Sequence, residues 1–383
     1  MPANRQRHKQ LELGAIVQIS AAVIHEVAGD FAIETVSLSE PGDNEVLVEI
    51  AGVGLCHTDL AVKEGHLPFP LPGVVGHEGS GTVVRVGPGV TKVSEGDKVA
   101  ISFNSCGQCA HCGKGEPAYC HNFMAFNFGG VRPDGSSALA AGDAALGGNF
   151  FGQSSLATHA IAHERNVVKV ADDAPLELVG PLGCGIQTGA GAVLNSLDVD
   201  PGSSLVVVGA GSVGLASVLA AVVREVGVII VVEPHQSRRE LALSLGATHV
   251  VDPADGALSE QIRGIVPDGV DYAIDTTALV PVLDQILQSL GVRGSLGLIG
   301  VPADPAATIP IGMMSTQLFG LTIRGIVEGD ADPDTFIPYL LDLHRQGKFP
   351  FDKLITTMPF SQINEAVAVQ HRGEAVKIVL VHE

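Results

Sequence analysis

The sequence predicts an α/β protein of two domains, one mainly antiparallel and β-barrel-like, the other a doubly wound parallel sheet. Three observations predict it. At 383 residues the chain exceeds what one ordinary hydrophobic core supports. Up to about residue 185 the text is rich in Gly, Pro and short β-type runs; from about 186 to 327 strands and helices alternate. A composition of 46% hydrophobic and 17% charged residues with 47 Gly suits a packed α/β chain and not a disordered one.

In the first domain, residues 1–185, apolar positions alternate over Glu45 to Ile50, and β-type runs follow at Gly81 to Val86 and Asp97 to Ile101. A Gly- and Cys-rich lobe spans 104–121. The second domain, 186–327, reads as strand Ser204 to Val208, a helix from Val213, strand Val228 to Val232, a helix from Ser237, strands His249 to Asp252 and Val270 to Asp275, a helix near Pro281, and strand Ser295 to Ile299. Residues 328–383 return to the first domain through helices at Asp334 to Arg345 and Gln362 to Gln370 and a strand at Val376 to Val381. Met1 to Gln10 is polar and basic with no signal-peptide pattern behind it, and is expected to be a frayed extension.

With 22 basic against 42 acidic side chains the net charge is −20, which repels phosphate backbones and anionic lipid, so neither nucleic acid nor membrane is an expected partner. The most apolar later stretch, Leu215 to Val232, is broken by Arg224, Glu225 and Gly227 and is not a membrane span. Clustered thiols without a secretory signal suit a reducing compartment, and the expected location is cytoplasmic.

All six cysteines fall in two ligand patterns. Cys106, Cys109, Cys112 and Cys120 form C-x2-C-x2-C-x7-C, the donor set of a closed tetrahedral zinc of structural role. Iron–sulfur clusters use the same ligand type at other spacings. Cys56 in G-L-C-H-T-D, His77 in G-H-E and Cys184 in G-C-G lie far apart; taken singly, a His is more often structural and a Cys a small core residue. Brought together, two thiolates and one neutral imidazole cancel the charge of Zn2+ and leave a fourth position open, as in a catalytic site. Glu78 beside His77 is an alternate ligand or a supporting group, and Asp59 a hydrogen-bond partner for the imidazole.

Val206 to Gly214 carries G-x-G-x-x-G after an apolar strand and at the mouth of a helix, with Gly209, Gly211, Ser212, Val213 and Gly214 forming the turn. In that context it is a dinucleotide fingerprint, amides at the helix start meeting a pyrophosphate. Glu233, ending the next strand, is placed to accept from an adenosine ribose 2′-hydroxyl and repel a 2′-phosphate, which favours NAD. Arg238 and Arg239 follow closely, and a guanidinium there tolerates a 2′-phosphate.

The order G-L-C-H-T-D, G-H-E-G, four-cysteine lobe, G-C-G and G-A-G-S-V-G resembles the zinc-dependent medium-chain alcohol dehydrogenases from near residue 18 to the carboxyl terminus, most closely the aryl-alcohol (benzyl alcohol) dehydrogenases. The resemblance implies a GroES-like catalytic domain and a Rossmann nucleotide domain, two zinc ions per subunit (one catalytic, one structural) and NAD. It implies catalytic zinc on Cys56, His77 and Cys184, Thr58 as the hydroxyl that receives the alcohol proton, and Glu78 behind the metal. Thr188 would border the nicotinamide, and His57 and Lys377 would touch the pyrophosphate. Where a number of relatives place a proton-relaying His, this chain has Ala61. Phe150 and Phe151 resemble channel-lining positions, with Leu55 and Ile186 flanking two ligands; such walls favour an aryl or allylic primary alcohol. A glutathione-dependent formaldehyde dehydrogenase, an NADPH-preferring aldehyde reductase and a catalytically silent NAD-binding protein are the alternatives. The resemblance also implies a homodimer or homotetramer, paired along a sheet edge near Leu296 to Val301 and Leu321 to Arg324.

Overall fold

A computed structural model describes residues 17–382; the amino-terminal extension expected at Met1 to Gln10 lies outside them. Strand Glu45–Leu55 is the hub of the first domain. It pairs antiparallel with Gly79–Val86, His159–His163 and, at its far end, Lys377–Val381. The carboxyl-terminal segment thus closes the first domain, as expected: Lys377–Val381 also pairs in parallel with Ile355–Pro359. A second, five-stranded sheet begins with Val17–Ile24 against Phe31–Leu38, and the two sheets share one core that includes Ile19, Val23, Leu47, Val53, Leu55, Leu156 and Ile378.

The second domain is a six-stranded, all-parallel sheet in the order His249–Val251, Val228–Val232, Ser204–Val208, Val270–Asp275, Leu290–Leu298, Thr322–Gly325. Its central strands are continuous apolar runs because helices cover both faces. Strand order reverses at Ser204–Val208, whose carboxyl end carries the Gly-rich turn, the position at which open α/β sheets bind ligands.

Two readings need correction. Helix Pro333–Arg345 was expected to belong with the first domain, but Phe336, Ile337, Leu340 and Leu343 pack in one core with Leu205 and Val207 of the parallel sheet, Leu215 of the helix that follows the Gly-rich turn, and Ala100 and Val168 of the first domain. It welds the two domains. The run Leu296 to Val301 is not a sheet edge either: Leu296 is buried between neighbours, and Thr322–Gly325 is the edge strand. Two helices fall outside the sequence expectations: Leu258–Ile265, although its Leu258, Ile262 and Ile265 are helically spaced, and Met313–Phe319, which buries no residue; neither has a side-chain N-cap. Among the described residues no helix is long and apolar enough to cross a membrane.

Candidate active site

Cys56 and Cys184 reach one place by one local device: each is the N-cap of a short helix, His57–Lys63 and Gly185–Gly191. His77 arrives immediately before strand Gly79–Val86. Their ligand atoms and a Glu78 oxygen all lie within 4.8 Å of one another. His77 Nε2 is buried and has no hydrogen-bond partner, while its Nδ1 meets Asp59 Oδ1 at 2.9 Å. A buried ring nitrogen aimed without a partner at two sulfurs is the donor a metal ion completes, and the Asp59 contact fixes the tautomer that leaves it free. These residues fit zinc.

Charge reinforces the geometry. Donation from the Cys184 thiol, then the Lys377 ammonium and His77, hold Cys56 well below the ordinary thiol range despite burial, and Cys184 as the donor is pushed up. Burial raises the Glu78 carboxyl and the Lys377 ammonium opposes that rise. Lys377 Nζ donates to both Glu78 oxygens at 2.9 Å and to Leu55 O at 3.3 Å.

The four lobe thiols, Cys106, Cys109, Cys112 and Cys120, also lie within 4.8 Å of one another, and none of the six cysteines is in a disulfide. Backbone amides of Cys106 and Asn122 donate to Cys120 Sγ at 3.2 and 3.4 Å. The lobe docks on the other domain, the Tyr119 hydroxyl donating to Asp330 with its oxygen 3.2 Å from Gly325 O.

At the Gly-rich turn, a Cβ on Gly214 would stand 1.9 Å from Gly209 O, so only glycine allows the helix to start there. No atom lies within 4 Å of a Cβ position on Gly211, which leaves its backbone open to a pyrophosphate. Ser212 and Val213 open the following helix. Glu233, 3% exposed, accepts from Ala210 N at 2.8 Å and His235 N at 2.9 Å. The turn fits a dinucleotide, and the site lies next to it: a Cβ on Gly185, the residue after Cys184, would be 3.4 Å from Ser212 Oγ.

Two family models cover most of the chain, an alcohol dehydrogenase GroES-like domain over residues 42–172 and a zinc-binding dehydrogenase over residues 212–345. The geraniol dehydrogenase of Castellaniella defragrans is 50% identical over 95% of this chain and 98% of its own length. Among solved structures, a zinc-binding-domain alcohol dehydrogenase from Burkholderia ambifaria superposes at TM-score 0.94 with 47% identity, covering 96% of this chain and 99% of that one. The benzyl alcohol dehydrogenase of Acinetobacter calcoaceticus superposes at 0.93 with 42% identity, covering 96% and 100%. The chain belongs to the zinc-dependent medium-chain alcohol dehydrogenase family.

In this zinc-dependent alcohol dehydrogenase, several of the expected residues are engaged by partners within the protein. Lys377, expected on the pyrophosphate, is 3% exposed and its ammonium is engaged by Glu78, whereas His57 is exposed. Phe150, expected to line a channel, is fully buried, edge-on to Phe69 and His77 with ring centroids at 5.2 and 5.5 Å. Phe151 stacks on His77 at 4.4 Å and supports the ligand instead of forming an open wall. Leu55 and Ile186 are fully buried too. Arg239 is tied to Asp252 at 2.8 Å; Arg238 reaches the carbonyls of Ala375 and Gly373.

Thr58 Oγ1 lies 3.8 Å from Cys56 Sγ, and Thr188 Oγ1 donates to Cys184 O at 2.8 Å. Sequence reasoning missed Gln153, whose amide ties His77 O and the Gly79 amide, and Glu328, whose carboxyl reaches Cys184, Gln187 and Thr188. Burial pushes the Glu328 carboxyl up to about 7. No motif marks either residue.

Proposed function

We propose that the protein oxidises hydrophobic primary alcohols, allylic or aryl, to aldehydes with NAD+ as hydride acceptor, and catalyses the reverse. The observation that carries the reading is the contact between the Cys184 helix and the first turn of the nucleotide helix, which sets a metal donor set beside a dinucleotide turn. Zinc on Cys56, His77 and Cys184 supplies the Lewis acidity that lowers an alcohol's pKa. Asp59 holds His77 in the tautomer that presents Nε2 and, through Cys56 N, fixes the first turn that carries Thr58. The Thr58 hydroxyl receives the alcohol proton. Ala61, buried in the same helix, has no group to pass a proton on, so a proton leaving Thr58 would need the ribose of a bound cofactor or water. A second zinc on the four-cysteine lobe holds that lobe's shape.

For the cofactor, a buried Glu233 carboxylate disfavours a 2′-phosphate, and the Arg239 guanidinium that could offset it is already paired with Asp252. For the substrate, the similarity to a geraniol dehydrogenase and a benzyl alcohol dehydrogenase supports primary alcohols activated by an adjacent double bond or ring. A screen on zinc-replete protein at 340 nm, comparing NAD+ with NADP+ across geraniol, cinnamyl alcohol, benzyl alcohol and ethanol, tests the reading. Higher kcat/KM for the first three alcohols with NAD+ is expected; preference for ethanol or NADP+, or no turnover of any of them, contradicts it.

We infer also that a second copy of this chain covers the face formed by edge strand Thr322–Gly325 and helix Met313–Phe319. Met313, Met314 and Leu318 there are 88%, 74% and 74% exposed, an apolar patch of the kind that marks an interface.

A further inference from the structure

The carboxylate of Glu64 stands between two imidazoles. Its Oε2 lies 3.4 Å from His66 Nδ1 and its Oε1 lies 3.2 Å from His371 Nε2. None of the three belongs to either cysteine-bearing donor set, and none has a part in the chemistry above. Glu64 is the C-cap of helix His57–Lys63, and His371 ends helix Ile363–His371. The fold therefore brings imidazoles from two remote parts of the chain onto one carboxylate.

Three features set the cluster apart from a solvated ion pair. Two imidazoles and one carboxylate are the donor set of the zinc peptidases, and separations of 3.2 and 3.4 Å match the spacing of about 3.3 Å between neighbouring ligands on a tetrahedral ion with bonds of about 2.0–2.1 Å. The carboxyl ends of two helices meet here, and the partial negative charge at such ends favours a cation. Arg372, next in the chain after His371, is turned to Glu365 and Glu374 at 3.1 and 2.8 Å and leaves Glu64 to the imidazoles.

The cluster is more open than the two cysteine-bearing sites, whose donors lie within 4.8 Å of one another, because each imidazole takes a different carboxylate oxygen. Both rings are about half exposed, 58% and 51%, and rotation about χ1 and χ2 brings them onto one ion. Imidazole with carboxylate suits Zn2+, Ni2+ and Cu2+; Mg2+ and Ca2+ take oxygen ligands. Exposure leaves the remaining coordination positions to water, so an ion held here exchanges, unlike one enclosed by four thiolates.

We propose that Glu64, His66 and His371 form a third metal site, which takes an exchangeable divalent transition ion and braces the helix that starts at Cys56 against helix Ile363–His371. The brace acts close to the helix itself. The His66 amide donates to Ala61 O at 2.8 Å and the Glu64 amide to Leu60 O at 2.8 Å, so both donors of that segment are anchored in the helix that carries Thr58. The site stands apart from the proposed oxidation and needs neither alcohol nor dinucleotide.

The test is calorimetric titration of untagged protein, desalted until only tightly held zinc remains, with Zn2+, Ni2+ and Mg2+ at neutral pH. Wild type is expected to take one further Zn2+ or Ni2+ per chain and no Mg2+, with affinity about tenfold or more weaker in each of Glu64→Gln, His66→Gln and His371→Gln. His249→Gln, which alters an exposed imidazole of the parallel-sheet domain, should bind as wild type does. Because the ion links two segments of the folded chain, excess Zn2+ should also raise the melting temperature of wild type but not of a His66→Gln, His371→Gln double variant. If one variant fails to fold, the others carry the test. No further ion in wild type, undiminished binding in the double variant, or an equal loss in His249→Gln, the mark of adventitious binding at surface histidines, overturns the assignment.

Discussion

Asp59 serves two metal ligands with one carboxylate: Oδ1 meets His77 Nδ1 at 2.9 Å and the Gly76 amide at 3.0 Å, and Oδ2 accepts from Cys56 N at 3.0 Å. Asp59→Asn sets an NH2 against a donor, so zinc affinity should fall about 10–100-fold, read by chelator competition; unchanged affinity would show that the ligands hold themselves. Burial changes what to expect of Phe150. Because it is fully enclosed, Phe150→Ala should cost about 3–5 kcal/mol in urea unfolding and shift KM for aryl and short aliphatic alcohols alike. A selective rise for aryl alcohols would return Phe150 to the substrate wall. Cys56, His77 and Asp59 were legible because their chemistry is unusual for their settings and sits in short motifs. Glu328 was not, since Cys184, Gln187 and Thr188 are at least 140 positions away in the chain. The pairing of Lys377 with Glu78 was hidden for a related reason: the sequence shows the cation without the acid it meets, 299 positions away.

At the scale of elements, the zinc lobe does more than close on itself. Its residues Pro117–Tyr119 pack on Glu328–Asp330, and Tyr119 holds Asp330. Cys109→Ser should therefore remove one zinc, lower the melting temperature and weaken cofactor binding together; lost zinc with unchanged dinucleotide affinity would separate lobe from site. The first domain has its own titration, at the start of strand His159–His163 and just past the closing strand. Burial holds His159, near Glu49, and His382, near His159 and hydrogen-bonded to Ala157 O, below the ordinary imidazole value of 6.5. Both rings are neutral in folded and unfolded chains above that value. As pH falls through it the unfolded chain takes up protons first, so stability drops. Melting temperature should fall from about pH 7 to pH 5 and fall less in a His159→Asn, His382→Asn double variant; equal slopes would place the acid sensitivity elsewhere. Parallel strands such as Val228–Val232 and Val270–Asp275 were read from sequence to the residue because buried runs end abruptly. Helix Met313–Phe319 was not, since none of its residues is buried against the described part of the chain.

For the whole molecule, the two domains share a core through helix Pro333–Arg345 and meet at the site. The uncovered face predicts that Met314→Glu with Leu318→Glu shifts the assembly toward smaller species in light scattering; a wild-type monomer would refute the second copy. The two-domain division was legible because texture changes with architecture, while the helix that joins the domains was not, since amphipathicity shows that a face is buried without showing against what. The proposed oxidation depends on a catalytic metal held by three residues remote in sequence. Its most direct test is elemental analysis paired with turnover for wild type and Cys184→Ser. The prediction is two zinc ions per wild-type chain and one in the variant, with alcohol-dependent NADH formation abolished. A single zinc in wild type, or a variant that still turns over, would contradict it.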